Sequence, residues 1–291
     1  MWITAVMMVI EIWAGWWFNS MALLADGWHM SSHAVAIGLS ALAYTAARRY
    51  ARDQRFSFGT WKIEVLGGYT SAVFLLGVAA LMSFASVERI FAPQAIQFPE
   101  AIAVAGVGLL VNVACAVILG RAGHHDHDQH DHGHHDPHHH DLNLRSAYLH
   151  VIADAATSVL AIVALAGGML FGWNWLDPAM GIVGAILVAR WAWGLLRDTG
   201  RVLLDREMDH GVVEEVKDAV ARSGDADTRI ADLHLWRVGK ARYACILSLV
   251  THDPALTPER VKTWLARHGE LAHVTVEIHQ CSGTDAKPSA C

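Results

Sequence analysis

The protein has 291 residues, a formal net charge of −6 and a mean hydropathy of +0.30. Hydrophobic residues make up 54% of the chain and charged residues only 17%, which is more apolar surface than one soluble core can bury. This composition excludes an ordinary soluble protein and predicts an integral membrane protein. We expect a lipid bilayer, and no nucleic acid, as its partner.

Six apolar segments are long enough to cross the hydrocarbon core of a bilayer, which requires about 20 residues of helix. They predict an α-helical membrane domain over residues 1–206 with six transmembrane helices. The segments run over Trp2–Phe18, Ser20–Ala47, Ile63–Phe91, Phe98–Leu119, Leu142–Gly172 and Leu176–Leu203.

Basic residues in the connections predict the orientation, since cytoplasmic loops of membrane proteins carry the excess of Lys and Arg. The first, third and fifth connections are nearly bare of them. We therefore expect a multi-pass protein with both termini in the cytoplasm. The basic positions on that side are Arg48, Arg49, Arg52, Arg55, Arg121, Arg145, Arg197, Arg201 and Arg206.

The fourth connection, residues 121–141, is rich in histidine: ten His and five Asp lie between Gly123 and Leu142. Imidazole and carboxylate together suit Zn²⁺, Co²⁺ and Ni²⁺, and the internal position between two apolar segments argues against an expression tag. The histidines are too irregularly spaced to define one site. We predict a flexible cytoplasmic loop that collects metal ions and raises their local concentration.

From residue 207 the pattern becomes that of a soluble domain, with the order helix, strand, strand, helix, strand over residues 207–281. Thr257 is the predicted N-cap of the second helix and Pro258 its first residue. A small sheet with two helices on one face buries these apolar stripes, which predicts an α+β domain. Residues 282–291 are expected to form a disordered tail.

Ionisable residues inside the spans are the strongest functional signal, because they are costly in hydrocarbon and usually face a partner or a water-filled path. The second span carries His29 and His33, and the fifth carries His150 and Asp154. At 1.5 Å per residue, the first pair lies about 15 and 21 Å below the outer surface and the second pair about 18 and 12 Å. Four donors at one level predict a tetrahedral site for a divalent metal. The alternative is that each His is a core residue satisfied by a hydrogen bond.

Other polar residues in the spans leave alternatives open. Asp26 shares a helix face with His29 and His33. Its carboxylate has three alternative interpretations: a hydrogen-bond acceptor for a ligand His, an outer-gate charge, or a solvated carboxylate near the surface. Glu11 and Asn112 are interpreted as residues that form helix-packing hydrogen bonds.

The soluble domain offers a second candidate metal site. His279 and Cys281 close the last strand, and His234 and Cys245 lie on neighbouring strands. Imidazole and thiolate are suitable ligands for a cytosolic metal ion. The alternative is that these four are ordinary strand residues.

Six segments carry a resemblance that covers nearly the whole chain: "EIWAGWWFNSMALLADGWHMSSH", "FSFGTWKIEVLGG", "HVIAD", "LDPAMG", "LLDREM" and "DLHLWRVG". In these segments the sequence resembles the cation diffusion facilitator family. The resemblance implies a homodimeric exporter of divalent metal ions in the bacterial inner membrane, with six spans per subunit and a ferredoxin-like, metallochaperone-like cytoplasmic domain. It also implies a transport site at His29, His33, His150 and Asp154 and a charge interlock between Lys62 and Asp205, although Lys62 is also placed to reach lipid headgroups.

The identity of the metal follows from one departure from the family pattern: His33 stands where Asp is commonest. This resembles the bacterial branch that exports cobalt and nickel, and an added imidazole disfavours Mn²⁺ and Fe²⁺ relative to Co²⁺, Ni²⁺ and Zn²⁺. We expect Co²⁺ as the cargo, with Ni²⁺ or Zn²⁺ possible, and a zinc-specific exporter as the alternative. Because protonated imidazole cannot bind metal, proton antiport is the expected coupling.

Three functions of other classes are weighed against export. A membrane-anchored metal sensor or buffer has no need of buried donors at matching depth. An intramembrane metalloprotease is disfavoured because the chain has no H-E-x-x-H motif. For an exporter we expect no enzymatic activity and no resident cofactor. A passive channel needs a ring of like residues and a continuous wet path.

Overall fold

The structure, a computed structural model, describes residues 2–122, 138–223 and 228–281. Within the helices some side chains lie outside the described part, those of His33 and His150 among them. The predicted loop 121–141 lies largely, and the predicted tail 282–291 wholly, outside the described residues. The elements are α1 (Trp2–Trp17), α2 (Met21–Arg49), α3 (Trp61–Phe91), α4 (Phe98–Ala122), α5 (His138–Phe171), α6 (Leu176–Leu203), α7 (Gly211–Ser223), β1 (Arg229–Gly239), β2 (Arg242–Thr251), α8 (Pro258–Leu265) and β3 (Leu271–Gln280).

The first six helices coincide with the six predicted apolar segments, which confirms a helical membrane domain followed by a small α+β domain. Among the described residues, four of these helices are long and apolar enough to cross a membrane: α3, α4, α5 and α6. Helix α1 is apolar but has only 16 residues, about 24 Å at 1.5 Å per residue. Helix α2 is long enough but less hydrophobic than these four helices, because Asp26, His29 and His33 interrupt its apolar sequence.

The chain forms two compact units, the first made of Met1–Leu39 and Thr70–Gly194 and the second of Ser40–Tyr69 and Leu195–Cys291. The second unit includes helical residues that precede position 207, so the predicted boundary between residues 206 and 207 stays a prediction. In the first unit the helices pack through small side chains. At Gly184 of α6, an added Cβ would lie 2.8 Å from the Cβ of Ala25 on α2, so the close approach of these helices requires glycine there.

A buried carboxylate fixes the start of α2 in the first unit. Asp177, near the start of α6, accepts hydrogen bonds from the Ser20 hydroxyl at 2.7 Å and from the backbone N–H groups of Met21 and Ala22 at 2.8 and 3.0 Å. These N–H groups have no partner within their own helix, and a negative charge is stabilised at a helix N-terminus. Asp177 therefore ties α2 to α6.

The second unit contains the predicted order of helix, strand, strand, helix, strand. Its three-stranded sheet has the order β1–β2–β3, with β1 and β2 antiparallel and β2 and β3 parallel. Thr257 caps α8, and Pro258 is its first residue, as predicted. Helices α7 and α8 cover one face of the sheet through buried side chains, Val212, Val213, Val216, Val261 and Leu265.

Candidate metal centre

Two of the four predicted metal donors meet in the structure. The Nε2 atom of His29 on α2 lies 3.2 Å from Oδ1 of Asp154 on α5. The two side chains are 20% and 11% exposed, so the pair is largely shielded by protein. This contact agrees with the predicted common depth of the second and fifth spans. An imidazole and a carboxylate at this distance present two donors of the types that Zn²⁺ and Co²⁺ accept.

The other two donors are placed only by their backbones. His33 follows His29 by one helical turn on α2, and His150 precedes Asp154 by one turn on α5. Residues four apart lie on the same helix face, so the backbone is compatible with the predicted quartet. Among the described side chains no group of three or more His, Cys, Asp or Glu is arranged to hold a metal ion. The complete four-donor site stays a prediction.

Hydroxyl groups hydrogen bond to the backbone beside both members of the pair. The Ser32 hydroxyl donates to the carbonyl oxygen of His29 at 2.6 Å. The hydroxyl oxygens of Thr157 and Ser158 lie 2.8 and 3.1 Å from the carbonyl oxygen of Asp154, and each shares its single proton between this carbonyl and the carboxylate of Asp26. Hydroxyl bonds to the preceding turn bend helices slightly, so they shape the backbone at the site.

Asp26 lies in a buried polar network that joins α2, α4 and α5. Its carboxylate accepts hydrogen bonds from Thr157 at 2.8 Å and from Ser158 at 2.6 Å, and Asn112 donates to the Ser158 hydroxyl at 3.3 Å. Only 2% of Asp26 is exposed, so the interpretation as a solvated carboxylate near the surface is wrong. The prediction that Asn112 forms a helix-packing hydrogen bond is confirmed.

Glu11 on α1 departs from its prediction. The residue is completely buried, yet neither carboxylate oxygen has a hydrogen-bond partner among the described residues. The predicted helix-packing hydrogen bond is therefore absent from the described part of the chain. The sequence marks Glu11 as an acid in an otherwise apolar span. Whether its carboxylate has a hydrogen-bond donor depends on how the neighbouring helices pack, which the sequence does not reveal.

Lys62 and Asp205, predicted as a charge interlock, form an ion pair. The Nζ atom of Lys62 donates to Oδ1 of Asp205 at 2.6 Å. The two side chains are 38% and 49% exposed, so solvent screens the interaction and its contribution to stability is small. The role of the pair at a dimer surface stays a prediction.

The four residues predicted as a cytoplasmic metal site do not form one cluster. Cys245 pairs with Leu235 and Val274 on the face covered by helices, where burial raises the pKa of its thiol to about 11. His234 pairs with Ile246 and His279 with Val250, which places both on the opposite face.

Distance also separates the two histidines of that candidate site. They lie on the outer strands of the sheet, at register positions four residues apart. Cys281 follows β3, donates its N–H to the carbonyl of Thr251 and has its sulfur in a disulfide. The alternation of strand side chains therefore corrects the sequence-based grouping: in one chain these residues are parts of the sheet rather than a ligand set.

A family model described as the cation efflux transmembrane domain matches residues 1–204, which contain the His29–Asp154 pair. The chain belongs to the cation diffusion facilitator family. It is therefore a divalent metal cation efflux transporter of the membrane, and the family is one of transporters rather than enzymes.

Three relatives show the range of named cargo. The zinc transporter ZitB of Yersinia pestis is 29% identical over 97% of this chain and 86% of its own length. A Bacillus subtilis protein named as a cadmium, cobalt and zinc/H⁺–K⁺ antiporter is 28% identical over 93% of this chain and 84% of its own. The zinc transporter ttm-1 of Caenorhabditis elegans is 31% identical over 95% and 68%.

Proposed function

We propose that this transporter exports Co²⁺, with Ni²⁺ and Zn²⁺ as further cargo, from the bacterial cytoplasm in exchange for protons. The proposed transport site consists of His29, His33, His150 and Asp154. The observation that carries the proposal is the 3.2 Å contact between His29 on α2 and Asp154 on α5. It unites donors from two helices where burial makes an unpaired polar group costly.

Proton exchange follows from the chemistry of these ligands. A neutral imidazole binds a metal ion through a ring nitrogen lone pair, and protonation of that nitrogen removes the donor. The unperturbed pKa of histidine is about 6.5, so a modest pH difference across the membrane changes its occupancy by protons. An acidic exterior then favours metal release, and deprotonation on the cytoplasmic side restores the site.

Cobalt is proposed as principal cargo because three of the four donors are imidazoles. Relative to a second carboxylate, the His33 imidazole removes a hard anionic oxygen and favours borderline metals over Mn²⁺. The alternative is a zinc-specific exporter, which the names of the ZitB and ttm-1 relatives support. The name of the Bacillus subtilis relative includes cobalt and protons. A membrane-anchored sensor or buffer remains the alternative of another class.

The rest of the chain is proposed to serve the same exchange. Residues 1–206 form a six-span domain with both termini in the cytoplasm, and residues 207–281 form the cytoplasmic domain of each subunit in a homodimer. Residues 121–141 collect metal on the entry side, and Lys62 with Asp205 forms a charge interlock at the inner surface of the dimer. The 2.6 Å ion pair supports this last point, since both residues already meet within one chain.

Transport by purified protein in liposomes tests the proposal. Uptake of Co²⁺, Ni²⁺, Zn²⁺ and Mn²⁺ is measured with and without a pH gradient, in the wild type and in His29→Ala and Asp154→Ala. His279→Ala is the matched control, because His279 is an exposed imidazole on the sheet. We expect gradient-dependent uptake of Co²⁺ that both site variants lose and the control keeps. Uptake at the same rate with and without the pH gradient would contradict antiport. Uptake of Zn²⁺ alone would establish the zinc-specific alternative.

A further inference from the structure

Glu11 is a buried ionisable residue that is not a ligand of the proposed transport site. Its side chain is completely buried on α1, and no described residue donates a hydrogen bond to either oxygen. An ionised carboxylate in such surroundings loses its hydration without compensation, while a neutral carboxyl group loses far less. The environment therefore favours a protonated Glu11.

Two glycines make the space for this side chain. A Cβ added at Gly108 of α4 would overlap Oε1 of Glu11, and one added at Gly27 of α2 would lie 3.2 Å from the Cβ of Glu11. The carboxyl group therefore lies against the backbone of α4, and the Cβ of Glu11 lies close to the backbone of α2. Gly27 is next to Asp26, and Gly108 is one helical turn from Asn112, so Glu11 borders the network that reaches Asp154 through Ser158.

The charged groups around Glu11 come from two helices. Helix α2 contributes Asp26 and, one turn further, His29, while α5 contributes Asp154; both carboxylates interact electrostatically with Glu11. Helix α4 presents Gly108 and the neutral Asn112 among its described side chains on this face. Asp26 already has two hydroxyl donors, which stabilise its ionised form, whereas Glu11 has none among the described residues. The hydrogen-bond donors therefore distinguish Glu11 from Asp26, although both acids are buried.

We propose that Glu11 is a proton-binding residue of the exchange, separate from the metal ligands, which is neutral while the transport site is empty and ionised while a divalent cation occupies it. This inference rests on the proposed transport site. The carboxylates of Asp26 and Asp154 disfavour ionisation of Glu11. A divalent cation at His29 and Asp154 adds two positive charges beside them, which favours the ionised form of Glu11. The Glu11 O–H bond then breaks, its electron pair stays on the carboxylate, and the proton passes to the solution from which the cation enters. The coupling is reciprocal, so protonation of Glu11 promotes metal release.

Chemical labelling of the wild-type protein tests the protonation state without a mutation. Dicyclohexylcarbodiimide adds to protonated carboxyl groups in apolar surroundings, and peptide mass spectrometry locates the adduct. In metal-free protein near neutral pH, we expect labelling at Glu11 and little at Asp26. Saturating Co²⁺ should reduce labelling of Glu11 severalfold. The absence of labelling at Glu11, or labelling that Co²⁺ leaves unchanged, would overturn the proposal.

Proton release on metal binding provides the second measurement. Co²⁺ is added to weakly buffered protein in detergent, and released protons and bound Co²⁺ are counted for the wild type, Glu11→Gln and Glu100→Gln. Glutamine mimics the neutral carboxyl, and Glu100 is an exposed acid on α4 that serves as the control. We expect Glu11→Gln to bind Co²⁺ with about one proton fewer released per ion, and Glu100→Gln to match the wild type.

The two measurements separate the possible failures. Unchanged proton release in Glu11→Gln that still binds Co²⁺ would overturn the role of Glu11 and leave the transport site intact. Failure of the wild type to bind Co²⁺ would contradict the proposed cargo, and labelling of Glu11 repeated with Zn²⁺ would then decide the present inference. If Glu11→Gln does not fold, the labelling of wild-type protein decides the question alone.

Discussion

The imidazole of His29 and the carboxylate of Asp154 lie 3.2 Å apart, 125 positions distant in sequence and on different helices. Asp177 fixes the start of the helix that carries His29, and Asp26 binds the hydroxyl groups that follow Asp154. The pair is thus supported from both sides by buried acids.

Replacement of Asp154 by alanine should abolish transport while the protein stays folded. The change removes the carboxylate of the proposed metal site, and we expect Co²⁺ uptake to fall at least about tenfold, the scale found when even supporting residues of metal sites are changed. Uptake into liposomes and the elution volume on size exclusion measure the two properties. Asp198→Ala is the control, since Asp198 is an exposed acid on α6. Retained uptake in Asp154→Ala would remove this residue from the site.

Replacement of His33 by aspartate should change selectivity more than rate. It returns a hard anionic oxygen and reduces the share of nitrogen donors, so we expect the ratio of Zn²⁺ to Co²⁺ uptake to rise severalfold, about 1 kcal/mol on a scale where tenfold is about 1.4. Proton coupling should weaken because one titratable imidazole is lost. His252→Asp, an equal charge change at an exposed position, is the control. A flat or falling ratio would show that His33 does not choose the metal.

Replacement of Asp177 by alanine should destabilise the membrane domain. The change removes acceptors for the Ser20 hydroxyl and for two N–H groups at the start of α2, and we expect the free energy of unfolding to fall by about 1–3 kcal/mol. Asp177→Asn retains one acceptor oxygen and should fall between alanine and the wild type. Thermal unfolding in detergent measures the effect, with Asp198→Ala on the same helix as control. Equal melting temperatures for both alanine variants would contradict the capping role.

The buried thiol of Cys245 should resist alkylation until the solution is strongly alkaline. Burial raises its pKa from 9.0 to about 11, so the reactive thiolate is scarce at neutral pH. The raised value also means that this thiol stabilises the fold below pH 9 and that the contribution is lost between pH 9 and about 11. Alkylation by N-ethylmaleimide, followed by mass spectrometry, measures the reaction rate of the Cys245 thiol. The half-buried thiol of Cys115 serves as an internal comparison. Rapid labelling of Cys245 in folded protein near pH 7 would contradict its burial.

Helix positions and the order of the soluble domain were predictable because they depend on local patterns. Apolar runs interrupted by turns define α1 to α6, and alternation defines β1 to β3. The common depth of His29 and Asp154 followed from helical rise alone, and the ion pair between Lys62 and Asp205 followed from the family resemblance. These features need only spacing along a helix or a known relative.

The tertiary structure decided which polar groups have partners. His234 and Cys245 occupy opposite faces of the sheet because strand register, which a sequence does not reveal, determines the face of each side chain. Asp26 finds two hydroxyl donors on α5, and Glu11 finds none among the described residues, although both are acids within apolar helices. Composition and periodicity thus determined a helical membrane protein with candidate metal donors in two spans. The packing of α1, α2, α4 and α5 determined which acid has hydroxyl donors and which has none among the described residues, because hydrogen bonding between helices depends on their rotation and close approach at glycine.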